Sequence, residues 1–253
     1  LDLHDIICQI GLIVVAGGVR RSALISLSSL DDVAMRDAKK GSFWQTEGQR
    51  SMANNSAVYE MRPTAHEFLD EWKALVSSGS GERGIFNRAG LEKQVPGRRW
   101  KKIQDQTQVG VNPCGEIYLR SKQFCNLTSI VVRPEDTMAT LKRKMRLATI
   151  LGTYQATLTN FGYLSKEWKD NCEEEQLLGV SITGYYDNKL VRNDKNLATL
   201  REVSIETNKE YAKRLKHKPS TAITCVKPHG NSGQLLGVGS GMHPWFSPYY
   251  IRR

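Results

Sequence analysis

The sequence contains no C-x-x-C and no H-x-x-x-H pair, so nothing in it has the spacing of a zinc site. Its five cysteines, Cys8, Cys114, Cys125, Cys172 and Cys225, are too few and too scattered for the disulfide framework of a secreted protein. Long hydrophobic runs are missing as well. The apolar stretch over 6–16 is too short to span a bilayer, and it follows Asp2 and Asp5 rather than a basic segment. That excludes a membrane helix and a secretory signal there. There is no internal repeat. Lys and Arg are not massed with aromatics, which argues against a nucleic-acid platform. A cytoplasmic, reducing compartment is the expectation, in which the sequons at Asn54 and Asn126 go unused.

What is present suits an ordinary soluble domain. The 253 residues suffice for one large domain or two small ones, with 40% hydrophobic and 25% charged content. Net charge is +10, from 36 Lys and Arg against 26 Asp and Glu. Such a charge fits a polyanionic ligand, but scattered basic residues read first as a basic surface. Leu1 already lies in an apolar periodic segment, and Arg253 follows a strand-like run. The expectation is an internal piece of a longer protein.

Leu3, Ile6, Ile7, Ile10, Val14 and Val15 keep a helical period that stops at Gly17-Gly18. Residues 20–27 alternate as a strand. A helix over 66–76, capped by Thr64, places Phe68, Leu69, Trp72, Leu75 and Val76 on one face. Residues 77–82 form a loop. Then follow a strand at 127–133 and a helix over 137–160 with Met145, Ala148, Leu151, Gln155 and Leu158 on its stripe. A strand at 178–183 and a helix over 197–215 burying Leu200, Val203, Thr207, Tyr211 and Leu215 come next, and a buried strand at 221–226 closes the series. Alternation of strands and helices predicts an α/β fold with a largely parallel sheet.

The chemistry concentrates at Asn112-Pro113-Cys114-Gly115-Glu116. Pro113 and Gly115 favour a tight loop that presents the Cys114 thiol at its tip. Asn112 can donate to and accept from sugar hydroxyls, and Glu116 can take a hydroxyl proton within hydrogen-bond reach. Cys125 follows eleven residues later, a second thiol that a loop could return to the first. A disulfide would need its partner's Cα within about 7 Å. Cys8, Cys172 and Cys225 are not chosen as that partner. A glycine-bearing loop, Lys227-Pro228-His229-Gly230-Asn231-Ser232-Gly233, follows a buried strand. It suits phosphate binding through backbone N–H groups, with a helix starting from Gln234, and equally suits a plain turn. Arg20 and Arg21 suit a phosphate or a solvated pair. His229 and His243 read as polar loop residues rather than metal ligands.

Asn112-Pro113-Cys114-Gly115-Glu116 resembles the active-site finger loop of ribonucleotide reductases. Further landmarks fall in that family's order: Gly17-Gly18-Val19-Arg20-Arg21-Ser22-Ala23, Asn54-Asn55-Ser56, Cys125-Asn126-Leu127, Cys172-Glu173-Glu174-Glu175, Leu178-Gly179-Val180-Ser181-Ile182-Thr183-Gly184, Val226-Lys227-Pro228 and Tyr249-Tyr250-Ile251-Arg252-Arg253. The likeness covers essentially the whole chain and is similar in flavour to the adenosylcobalamin-dependent class II triphosphate reductases.

The resemblance implies part of a ten-stranded α/β barrel with a central finger loop, residues 1–253 being a partial catalytic barrel domain. It implies adenosylcobalamin as cofactor, a ribonucleoside triphosphate as substrate, and thioredoxin or a similar dithiol as reductant of the parent enzyme. No metal, nucleic-acid or membrane partner is implied, and the parent is expected to be monomeric. By that resemblance Cys114 becomes a thiyl radical and removes the 3′ hydrogen of the ribose. Glu116 takes the 3′-hydroxyl proton, Asn112 holds the hydroxyls, and Cys125 with a partner thiol supplies the electrons. Pro228, His229, Gly230, Asn231 and Ser232 stand at the phosphate loop. The family's upstream reductant cysteine and C-terminal shuttle cysteines have no counterpart here. His229, Asn231 and Gly233 stand where the family loop carries three Ser or Thr hydroxyls, with Ser232 displaced by one. Tyr249 and Tyr250 are not taken as relay tyrosines. A class I large subunit, and a non-catalytic fragment of a reductase, are the alternatives.

Overall fold

The computed structural model describes residues 1–18, 22–104 and 109–251. Arg20 and Arg21 lie outside the described residues. Two compact units form, one from residues 1–95 and 109–115, the other from 96–108 and 116–253.

The first unit holds a three-stranded parallel sheet in the order β1 (Leu24–Ser28), β2 (Ala53–Tyr59), β3 (Gly84–Asn87). Strand β1 starts later than the alternation over 20–27 suggested. The middle strand was not legible as one, because Ala-Asn-Asn-Ser has little β propensity. Its position comes from burial: Ala53, Asn55, Ala57, Val58 and Tyr59 all leave solvent. Arg83 ties the sheet to the following turn, donating to Ser28 Oγ (2.9 Å), Ser29 O (2.9 Å) and Leu30 O (3.1 Å) while pairing with Glu71 at 2.8 Å.

Helix α1 (Asp2–Ala16) ends at Gly17 as its periodicity predicts. Its apolar stripe, however, faces outward: Leu3, Ile6 and Ile10 are exposed, while Cys8 is buried and Gly11 faces Leu24 and Met52. A charged clamp anchors the helix. Arg50 Nε and Nη2 donate to both Asp5 oxygens at 2.8 and 2.7 Å, and Nη1 donates to Ala38 O. Helix α2 (Ala65–Ser78) opens on the Thr64 cap, completed by Glu67 as a capping box, and ends at left-handed Gly79. Leu69, Trp72 and Val76 on its apolar face are exposed.

In the second unit, β4 (Asn126–Val131) and β5 (Leu178–Thr183) pair in parallel, Asn126 opposite Leu178 and Val131 opposite Thr183. The run over 221–226 lies along β5 through Val180 N to Ile223 O (2.8 Å) and Cys225 N to Val180 O (3.1 Å), with one bridge at Val180 and Thr224. Helices α3 (Met138–Ala156) and α5 (Asp194–Arg214) pack on one another, α3 also against the strands. Between α3 and α5 in the chain lies α4 (Lys166–Glu175). Ile130, Val132, Leu141, Met145, Leu178, Val180, Leu200 and Ile223 form the core. Each such side chain contributes about 1.5–3 kcal/mol when fully buried.

The inward faces of α3 and α5 differ from the predicted stripes. Leu151 and Leu158 are exposed, and Val203, Tyr211 and Leu215 are only half-buried. Met145, Ala148, Leu200 and Thr207 are buried as predicted, and Thr149, Gly152, Thr153, Ser204 and Asn208 turn inward beside them. Asn208 Nδ2 donates to Thr153 Oγ1 (3.1 Å) and Ser220 Oγ (2.9 Å), and its Oδ1 accepts from Ser220 N (2.9 Å). Small polar residues allow close helix approach, and their hydrogen bonds remove the burial penalty.

The Cys172-Glu173-Glu174-Glu175 landmark resolves into a structural device. Glu175 is fully buried and accepts from Arg99 Nε (2.9 Å), Gln123 Nε2 (2.6 Å) and Thr221 Oγ1 (2.9 Å). Burial alone would raise its pKa, but Arg99 and these donors outweigh it and hold the group below the usual carboxylate range. No described helix is long and apolar enough to cross a membrane.

Candidate active site

The turn that carries the first candidate thiol belongs to the first unit. Gly115 N donates to Asn112 O at 2.9 Å, and Gly115 adopts a φ of 80°, a left-handed conformation that suits glycine. Asn54 Nδ2, from β2, donates to Pro113 O at 2.8 Å. The landmark Asn54-Asn55-Ser56 therefore contributes directly to holding the loop. Cys114 is exposed at the tip and Asn112 is half-buried.

Glu116 opens the next segment of the second unit, with its side chain only 1% exposed. Oε1 lies 3.3 Å from Lys227 Nζ. Oε2 is buried with no hydrogen-bond partner. A buried carboxylate oxygen left open in this way is costly for stability alone and suits a proton-accepting role.

Cys125 and Cys225 lie near the same carboxylate. Burial pushes each thiol up to about 12; Cys225 and Glu116 add to the rise at Cys125, and Glu116 adds to it at Cys225. Both are therefore protonated, hydrogen-bearing thiols at neutral pH rather than nucleophilic thiolates. Gly179 keeps this face of the sheet close-packed. A Cβ there would meet Leu127 Cδ2 at 2.4 Å, Cys225 Sγ at 3.0 Å and Ile117 Cδ1 at 3.1 Å. Register separates the two thiols. Cys125 precedes Asn126, opposite Leu178, whereas Cys225 follows Thr224, opposite Val180. Cys172 approaches from the other side, its Sγ accepting from Phe124 N at 3.4 Å, and lines with Cys125 a cavity of about 260 Å³.

The candidate phosphate loop is differently built from its sequence reading. Its helix, α6 (Gly230–Leu235), starts four residues earlier than expected and is only six residues long. His229 is no surface residue: it is buried, left-handed at φ 53°, and its ring meets Ser129 Oγ at 3.0 Å and Ser232 Oγ at 3.2 Å. Burial, with Lys227 nearby, lowers its pKa and keeps the ring neutral. Pro228 is half-buried, while Gly230, Asn231 and Ser232 are exposed. No metal-binding group of His, Cys, Asp and Glu occurs among the described residues.

Sequence reasoning missed Lys227, Cys225, Ser181 and Ser129. Their signal was positional: Ser129 lies on β4, Ser181 on β5, Cys225 on the run beside β5 and Lys227 directly after it. Ser181 Oγ accepts from Lys227 N at 3.0 Å, fixing where that lysine leaves the sheet.

The crystal structure of a B12-dependent class II ribonucleotide reductase superposes with a TM-score of 0.68 at 23% identity, over 96% of this chain and 36% of that one. The fold is that of the ribonucleotide reductases. The alpha subunit of the Actinobacillus ureae class Id ribonucleotide reductase shares it with a TM-score of 0.66 at 16% identity, over 90% of this chain and 50% of that one. Among curated proteins, the adenosylcobalamin-dependent ribonucleoside-triphosphate reductase of Lacticaseibacillus paracasei is 29% identical over 297 aligned residues, covering all of this chain. Those of Lactobacillus gasseri and Lactobacillus leichmannii are 28% and 27% identical, again over the whole chain. The chain spans 37% of the length of these relatives. No family model matches. The α/β ribonucleotide reductase fold expected from the finger-loop motif is thus present, and the likeness to the cobalamin-dependent class holds along the full chain.

Proposed function

We propose that this chain carries the catalytic loop of an adenosylcobalamin-dependent ribonucleoside-triphosphate reductase, making 2′-deoxyribonucleotides for DNA precursor synthesis. The observation that carries the reading is the unpartnered, buried Oε2 of Glu116, two residues after the exposed thiol of Cys114. The names of the relatives point the same way.

Adenosylcobalamin, when bound, supplies a radical able to accept a hydrogen atom from a thiol. The exposed position of Cys114 on a tight turn fits that chemistry, since a bulky group can approach the sulfur. The remaining roles fall to side chains. The Cys114 sulfur takes the 3′ hydrogen atom of the ribose, and Asn112 orients the sugar hydroxyls. Glu116 Oε2 takes the 3′-hydroxyl proton, which assists loss of water from C2′. Cys125, held protonated by burial, and a partner thiol together supply two hydrogens, one to the departing water and one to C2′, and close to a disulfide. Backbone N–H groups of residues 229–232 receive the phosphates, since the His229 ring is engaged by Ser129 and Ser232. Thioredoxin or a similar dithiol resets the cysteines, and the protein acts as a cytoplasmic monomer.

The test is nucleotide reduction by the full-length protein that contains these residues, given a ribonucleoside triphosphate, a dithiol and adenosylcobalamin. Deoxynucleotide should form with the cofactor alone, and not in Cys114→Ser. A requirement for a separate metal-bearing subunit, or wild-type turnover by Cys114→Ser, refutes the proposal.

A further inference from the structure

Among the described residues, Glu116 Oε2 is the only carboxylate oxygen that is buried without a hydrogen-bond partner. Its twin, Oε1, has one cation in reach, Lys227 Nζ at 3.3 Å. The lysine is itself held. Its backbone N–H donates to Ser181 Oγ, and Ser181 sits buried on β5. The ammonium thus projects from a fixed point on the sheet edge, with 29% of its side chain still in solvent. A carboxylate removed from water without a counter-charge favours its protonated form, in which it no longer accepts a proton.

We propose that Lys227 is the positioning residue for Glu116: its ammonium holds Oε1 and the negative charge, leaving Oε2 as the atom that accepts a proton. This rests on the reductase reading above for its catalytic consequence, but not for the ion pair itself. The ionisable groups facing Glu116 are Lys227, Cys125, Cys225 and His229. In the proton transfer, the hydroxyl O–H bond breaks, its electron pair stays on the sugar oxygen, and a new O–H bond forms at Oε2. Lys227 keeps its own proton.

The two consequences are tested separately. In the isolated chain, Cys225 reports the pair, because Glu116 raises its pKa and Lys227 lowers it. Alkylation of Cys225 at fixed pH, followed by mass spectrometry, should slow about threefold or more in Lys227→Met and quicken comparably in Glu116→Gln, each half-unit change in pKa being about a threefold change in thiolate. Unchanged rates in both variants, with unchanged circular dichroism, overturn the pairing. In the full-length protein, Lys227→Met should lower kcat by roughly 100-fold or more, the scale of general-base catalysis, and move the rising limb of the pH profile to higher pH. Lys227→Arg should recover most of kcat. A Lys227→Met enzyme with wild-type kcat and pH profile, or one that loses only substrate affinity, overturns the positioning role. Should the wild-type protein reduce no nucleotide, the reductase reading fails while the alkylation result still decides the pairing.

Discussion

The side-chain amide of Asn54 donates to the carbonyl of Pro113 at 2.8 Å, joining the middle strand of the first unit to the turn that displays Cys114. This bond crosses 59 positions of sequence, and it is partly open to water. Its contribution to stability is therefore modest, about 1 kcal/mol, but its contribution to the placement of one sulfur is larger. Asn54→Ala should leave the melting temperature within a few degrees while hydrogen exchange over 112–116 quickens. Unchanged exchange in that segment would show that the turn holds itself.

Gly179 makes a sharper prediction. Gly179→Ala places a methyl group 2.4 Å from Leu127 Cδ2, with Cys225 Sγ and Ile117 Cδ1 closing the other sides. Overpacking of this kind costs about 1–3 kcal/mol. Denaturant unfolding should show that loss, and the Cys225 alkylation rate should change with it as its surroundings shift. A fully stable Gly179→Ala protein would mean that Leu127 swings aside freely.

The Asp5–Arg50 clamp sets a pH dependence. Arg50 holds the Asp5 carboxyl at about 2, below its ordinary 3.8. A depressed carboxylate stabilises the fold above its unfolded pKa, and the contribution is lost as pH falls through the folded value. The gain at neutral pH is on the order of 1–2 kcal/mol, since the group keeps some contact with solvent. Asp5→Asn should be less stable than wild type at pH 7, and the gap should close between about pH 4 and pH 2. A gap constant over that window would contradict the assignment.

Cys125 separates one chemical turn from many. With its thiol held near 12, Cys125 is a hydrogen donor in the proposed reaction. In the full-length protein, Cys125→Ser should abolish sustained deoxynucleotide formation while Cys114 remains alkylated at its wild-type rate. Sustained turnover by Cys125→Ser would remove that residue from the reductive step.

Much of the second unit was readable from pattern because its strands are rich in Leu, Ile, Val and Thr: 178–183 was placed to the residue. The helices were found but their faces only in part: Met145, Ala148, Leu200 and Thr207 are buried as read. Leu151 and Leu158, read on the same stripe as Met145 and Ala148, point to solvent, while Thr149, Thr153 and Asn208 join the contact. Hydrophobicity cannot reveal a seam made of hydroxyls and an amide. Strand β2 was hidden for a similar reason, being central through burial of Asn55 and Ala57 rather than through β-branched residues. At the site, the motif named Asn112, Cys114, Glu116 and Cys125, but not the lysine beside Glu116. Residues 116 and 227 are 111 positions apart, and only the fold brings them together.

The polar seam between α3 and α5 has one more consequence. Leucine faces tolerate sliding, since one methyl replaces another; a donor matched to a single acceptor does not. A half-turn slip of α5 would strand the Asn208 amide away from both Thr153 and Ser220. The two helices are therefore indexed like gear teeth, and the sheet they back, with the thiols and carboxylate on its other margin, inherits that fixed setting.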